Sequence, residues 1–67
     1  MKNNFSKILH SLRLDKRLKQ SELAIKLSTT QRKISYWENG TTEPDIDSLW
    51  EIADFFEISI DELVGRE

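Results

Sequence analysis

Apolar residues in this chain recur three and four positions apart almost from end to end. That periodicity is helical, so the fold expected is all-α. Phe5, Leu9 and Leu12 repeat at i, i+4, i+7, with Ile8 beside them, and predict a first helix over about 4–15 that Asn3 or Asn4 can cap. Arg17-Leu18-Lys19 breaks the register, and Leu23, Ala24 and Leu27 form the stripe of a short second helix over 20–27. Thr30 is placed to cap a third helix over 30–39, which Gly40 ends because glycine takes the left-handed conformation at little cost. Pro44 keeps Thr41-Thr42-Glu43 out of a helix, and Asp45 caps a fourth helix over 46–56 on the stripe Leu49, Ile52, Ala53, Phe56. Ser59 and Glu62 make a capping box for a fifth helix over 60–64, stopped at Gly65.

Sixty-seven residues give one small domain, taken as 1–67, with a compact bundle of five short helices. The core expected comprises Phe5, Leu9, Leu12, Leu18, Leu23, Ala24, Leu27, Ile34, Trp37, Ile46, Leu49, Ile52, Ala53, Phe56, Ile60 and Leu63. Trp50, Phe55 and Ile58 fall off the stripes and read either as the rim of that core or as a surface for a second subunit or partner. The longest apolar run is three residues, Leu23-Ala24-Ile25, far below the ~20 of a membrane span. With no secretory segment visible, a cytoplasmic protein of bacterial or phage type, lying at the nucleoid, is expected.

Charge is divided along the chain. Residues 1–33 carry nine basic groups against two acids, and residues 34–67 carry one against ten, so a net −2 conceals halves of +7 and −9. Such polarity suits a polyanion on one side, although short charge-rich chains also segregate by chance. The acidic half would weaken non-specific attraction to phosphates.

Gln20 to Trp37 is the informative stretch, a short helix, a tight turn and a second helix that must cross steeply over the small Ala24. At about 100° per residue, Gln31, Ser35, Asn39, Arg32 and Tyr36 share the arc of the third helix opposite Trp37, and each can donate or accept a hydrogen bond. A helix fits the major groove, where Gln pairs bidentately with adenine and Arg with guanine. Polar outward faces are common on surface helices, so it is the coincidence of this arc with the helix-turn-helix spacing and the basic half that points to DNA.

The run Gln20-Ser21-Glu22-Leu23-Ala24-Ile25-Lys26-Leu27, then Thr29-Thr30-Gln31, then Ile34-Ser35-Tyr36-Trp37-Glu38-Asn39-Gly40 resembles the Cro/phage-repressor (XRE-type) helix-turn-helix family. Pro44-Asp45 and Ser59-Ile60-Asp61-Glu62-Leu63 fit that family's fourth and fifth helices, and the likeness covers about residues 5–65. It implies a lambda-repressor-like fold and a sequence-specific DNA-binding regulator, a repressor by expectation. Such a protein binds double-stranded DNA as a homodimer with its third helix in the major groove. The same resemblance implies base contacts from Gln31, Arg32 and Tyr36, with Thr30 and Ser35 as lesser contributors. It implies phosphate contacts from Gln20 and Asn39, with Lys19, Lys33 and Thr41 in addition. Arg13 and Glu38 match a pair that forms an internal salt bridge in relatives, which makes Arg13 structural first and a phosphate ligand second.

Departures from the family pattern are also legible. Lys19 replaces the Ser or Thr cap of the second helix, leaving half of a capping box with Glu22. Ser28 stands where the turn usually has glycine, Thr29 where it has an apolar residue, and Arg17 and Glu57 where glycine or asparagine is common, implying strain at helix ends.

Other chemistry finds little support. His10 is the single histidine and no cysteine accompanies it, so it reads as a surface residue of the first helix rather than a metal ligand or nucleophile. Glu43, Asp45 and Asp47 lack the spacing of a calcium loop. Neither metal, cofactor nor small-molecule ligand is expected, and no catalytic constellation is present in the sequence. The alternative function is a protein-interaction module, antitoxin-like or accessory, that keeps this fold and holds a partner through Trp50, Phe55 and Ile58.

Overall fold

The computed structural model describes residues 4–65. Five helices follow one another without a strand among the described residues: α1 (Phe5–Asp15), α2 (Gln20–Lys26), α3 (Gln31–Asn39), α4 (Ile46–Phe56) and α5 (Ile60–Val64). Each lies within a residue or so of the position its apolar spacing predicts.

Helix starts follow the side chains available to them. Thr30 Oγ1 accepts from the Lys33 N–H at 3.2 Å, and Asp45 Oδ1 accepts from the Ser48 N–H at 2.9 Å. Ser59 and Glu62 exchange both bonds of a capping box, each at 3.0 Å. At Lys19 only the reciprocal half exists, the Lys19 N–H donating to Glu22 Oε1 at 2.7 Å, because an ammonium has no lone pair to offer Glu22 N–H. The sequence also offers Asn3 or Asn4 as a cap for α1. Asn3 lies outside the described residues, and Asn4 occupies the cap position without a side-chain bond. Its backbone N–H donates instead to Val64 O at 3.1 Å, tying the start of α1 to the end of α5.

Helix ends share one device. After α1, α2, α3 and α4 a residue with positive φ makes a 5→2 bond and the next residue a 6→1 bond. The pairs are Arg17 N–H to Leu14 O with Leu18 N–H to Arg13 O, and Ser28 N–H to Ile25 O with Thr29 N–H to Ala24 O. They continue with Gly40 N–H to Trp37 O and Thr41 N–H to Tyr36 O, then Glu57 N–H to Asp54 O and Ile58 N–H to Ala53 O. Only one of the four left-handed positions is glycine, with φ values of 58° at Arg17, 56° at Ser28 and 59° at Glu57. The strain read at the ends of α1 and α4 is therefore present, and the turn between α2 and α3 carries it too.

The core lies where all five helices converge. Phe5, Leu9, Leu23, Ile34, Ile52 and Leu63 are almost wholly enclosed, with Ala24, Leu27, Trp37, Ala53 and Phe56 completing the cluster. Trp37 meets Phe5 edge to face, ring centroids 6.5 Å apart. Leu12, Leu18, Leu49 and Ile60 are half-buried against it. Ile46 departs from expectation, being 70% exposed. As the first residue of α4 it sits about 70° from the centre of the Leu49–Ile52–Ala53–Phe56 stripe, at the edge of the buried face. Phe55 and Ile58 pack on the core's edge, while Trp50 stays 57% exposed. No helix among the described residues is long and apolar enough to cross a membrane.

Candidate nucleic-acid interface

α3 is held on two sides, by α1 and by α2, so its inner residues are fixed and its outer ones are left to solvent. Ile34 and Trp37 point inward and are buried, and Ala24 is buried where α2 crosses. Gln31, Arg32, Lys33, Tyr36 and Asn39 are exposed on the other side, and Ser35 is half-buried between them. The five residues expected to meet bases, Thr30, Gln31, Arg32, Ser35 and Tyr36, thus all belong to α3 or its cap. Thr30 spends one of its two oxygen lone pairs on the Lys33 N–H and keeps its own proton to donate.

Between α3 and the loop leading to α4 lies an open concavity of about 830 Å³, lined by Arg32, Lys33, Tyr36, Pro44, Asp45 and Ser48 among others. The Asp45 carboxyl is held below the usual carboxylate range, chiefly by its hydrogen bond with Ser48, with a smaller contribution from the nearby Lys33 ammonium. One lip of the concavity is basic and the other, at Glu43 and Asp45, is acidic. A polyanion is attracted to the α3 side and repelled from the start of α4.

Behind this face stands a polar cluster that sequence reasoning recovers only in part. Arg13 Nε donates to Glu38 Oε2 at 2.7 Å and Nη2 donates to Oε1 at 3.0 Å, while Nη1 donates to Leu18 O at 2.8 Å. The pair is buried, with 10% of the Arg13 side chain and 4% of the Glu38 side chain exposed. Gln20 Nε2 adds a bond to Glu38 Oε1 at 3.2 Å, and His10 Nδ1 lies 2.9 Å from the same oxygen. Burial alone would push the Glu38 carboxyl up, but the hydrogen bonds from Arg13, His10 and Gln20 outweigh it and hold the group below its ordinary range. Glu38 therefore joins α1, α2 and α3 through one carboxylate.

The expected phosphate contacts are distributed around this cluster. Lys19, Lys33, Asn39 and Thr41 are exposed, Gln20 is half-buried, and Arg13 is enclosed with all three guanidinium nitrogens engaged. His10 is exposed on α1, as the sequence predicts, but its contact with Glu38 is one that sequence reasoning missed. Its single sequence signal is its place one turn before Arg13 on α1, and its partner Glu38 is 28 positions away. Trp50, Phe55 and Ile58 lie on α4 and just beyond it, apart from α3. Phe55 is engaged within the fold, stacked edge to face on Phe56 at 4.9 Å with Lys16 Nζ 5.7 Å from its ring centroid.

A short helix, a left-handed turn and a second helix crossing over Ala24 with an exposed polar arc define a helix-turn-helix domain. The helix-turn-helix family model matches residues 9–63, and the chain belongs to that family, in its XRE/Cro–CI type. The HTH-type transcriptional activator BcrR of Enterococcus faecalis is 41% identical over 63 residues, covering 94% of this chain and 31% of that protein. A transcriptional regulator from Listeria innocua superposes with a TM-score of 0.90 at 37% identity, over 97% of this chain and 61% of the other. The P22 c2 repressor, in a structure with a synthetic operator, superposes with a TM-score of 0.87 over 94% of this chain and 96% of its own. At 22% identity that likeness concerns the fold. The chain spans less than two thirds of the first two proteins' lengths.

Proposed function

We propose that this protein is a sequence-specific, double-stranded-DNA-binding transcriptional regulator that places α3 in the major groove. The observation that carries this reading is the division of α3. Its inner side is spent on core and buried ion pair, whereas Gln31, Arg32 and Tyr36 are exposed and make no side-chain hydrogen bond or ion pair among the described residues. Unspent amide, guanidinium and phenol groups on a helix held by two neighbours are what direct readout of base edges requires. Ser35 and Thr30 would add to the same set. Lys19, Lys33, Asn39, Thr41 and Gln20 would hold the backbone, and Arg13 would serve first to fix α1 against α3.

A homodimer on a two-fold operator would present two such helices about 34 Å apart, one turn of the duplex. Binding to an operator that overlaps a promoter would repress it, and a cytoplasmic location at the nucleoid follows from that role. The regulator relatives support the DNA-binding reading.

The test is selection of a randomised duplex pool by the purified protein at about 0.15 M salt, with the retained DNA sequenced. A recovered two-fold motif with half-sites about one turn apart is the expected result. Retention without sequence preference, fading as salt rises, would overturn it. The second reading, an antitoxin-like or accessory interaction module holding a partner through Trp50, Phe55 and Ile58, rests on Trp50, which is 57% exposed, since Phe55 and Ile58 pack against the core. It requires loss of function on changing Trp50 with Gln31 and Arg32 dispensable.

A further inference from the structure

His10 occupies a place that its exposure alone does not explain. The imidazole is 51% exposed, yet Nδ1 is held 2.9 Å from Glu38 Oε1, and Arg13 Nη2 approaches the same Nδ1 at 3.3 Å. A carboxylate oxygen offers only lone pairs, so at 2.9 Å Nδ1 must carry the proton and donate. It then cannot accept from Arg13, and the longer contact is proximity rather than a hydrogen bond. With Nδ1 turned toward Glu38, Nε2 lies on the far side of the ring, in a side chain that is half exposed. In the neutral ring Nε2 is a bare acceptor, and in the imidazolium it is a second N–H donor with positive charge.

The neighbourhood specifies what that donor would meet. Gln20 Nε2 binds the same Glu38 oxygen as His10, so one carboxylate fixes the imidazole beside the residue expected to hold a phosphate. Among the described residues, the charged or titratable groups within hydrogen-bonding reach of His10 are Glu38 on α3 and Arg13 on its own helix, which are paired with each other. From α2 the uncharged Gln20 amide reaches the same Glu38 oxygen. α5 meets α1 around Asn4 and Ile8, and Ile8 lies about 160° around the helix from His10. Lys7, one turn earlier on α1, adds an exposed positive charge to the basic side.

We propose that His10 is an additional contact to the DNA backbone: protonated Nε2–H donates to a phosphate adjacent to the one held by Gln20, so that binding of a duplex takes up a proton. This rests on the DNA-binding reading given above. The ring is oriented in advance by Glu38, so little rotamer freedom is lost on contact. A phosphate next to Nε2 favours the charged ring, and an imidazole is the side chain whose charge changes between about pH 5 and 8. Glu38 stays ionised through that window because its carboxyl is held below the ordinary range.

Duplex affinity is measured between about pH 6 and pH 8 at constant ionic strength for the native chain, His10→Gln and His10→Lys. A glutamine amide can still donate to Glu38 but never charges, and a lysine is charged throughout. The native protein should bind about three- to tenfold more tightly at the acid end, with a salt dependence steeper there by roughly one phosphate contact. His10→Gln should lose both the pH dependence and that extra slope, and His10→Lys should bind tightly at both ends. Melting temperatures of the three proteins separate a merely structural role, which would not follow the charge at position 10. A pH profile unchanged in His10→Gln, or flat in the native chain, overturns the assignment of His10 and leaves the DNA reading standing. Absence of sequence-preferring duplex retention by the native chain at any pH overturns both.

Discussion

Arg13 and Glu38, 25 residues apart, meet through two near-parallel hydrogen bonds of 2.7 and 3.0 Å that fasten α1 to the back of α3. The helix proposed to enter the major groove is therefore oriented by an ion pair as well as by apolar packing. Removing Arg13 would strand a carboxylate with 4% of its side chain exposed. Arg13→Ala is expected to cost about 3 kcal/mol of folding stability, read from urea denaturation. A domain of this length holds only roughly 3–10 kcal/mol in total, so much of the variant should unfold under mild conditions.

The same carboxylate gives acid sensitivity a definite sign. Glu38 has a folded-state pKa below its unfolded value, so its contribution is present above the ordinary carboxylate range and is lost as pH falls through and below it. Unfolding free energy measured from neutral pH downward should drop in that interval. Glu38→Gln should lower stability at neutral pH and flatten the drop.

At three helix ends the left-handed position lacks glycine. Glu57, at φ 59°, also sets a negative charge at the C-terminus of α4, where the helix dipole disfavours it. Glu57→Gly should raise stability by about 0.5–1 kcal/mol, the relief of the side-chain clash exceeding the extra freedom of the unfolded chain. Ser28→Gly, at φ 56° between α2 and α3, should act in the same direction. Thermal melts of each variant check both.

Arg32 and Lys33 are neighbours on α3 with different expected work. Arg32→Ala should cost about 1–3 kcal/mol at one base position and relax preference there, while Lys33→Ala should weaken all duplexes alike and shallow the salt slope by about one unit. Titrations of matched and singly mismatched duplexes at several salt concentrations distinguish the two. Equal losses on every duplex for both variants would remove Arg32 from the base-reading set.

How much of this was legible beforehand differs between kinds of interaction. Local chemistry was readable. The caps at Thr30, Asp45 and Ser59, the stops at Gly40 and Gly65 and the single-bond start at Lys19 each depend on side chains within a few residues of the backbone they satisfy. Helical period likewise determined which face of α3 would be buried, since Ile34 and Trp37 share an arc that Gln31, Arg32 and Tyr36 do not. The buried Arg13–Glu38 pair was legible only through the family resemblance, because no periodicity joins residues 25 apart.

What tertiary structure alone decided is where unlike elements meet. Ile46 has the residue type and nearly the phase of a core position, yet at the first residue of α4 it is 70% exposed. His10 and Gln20 have nothing in common along the chain, and they share one oxygen because α1 and α2 both pack near the end of α3. Periodicity and capping are properties of a single helix and are written in its own residues. Convergence on Glu38 depends on the angles at which three helices cross, and those are set by the whole core at once.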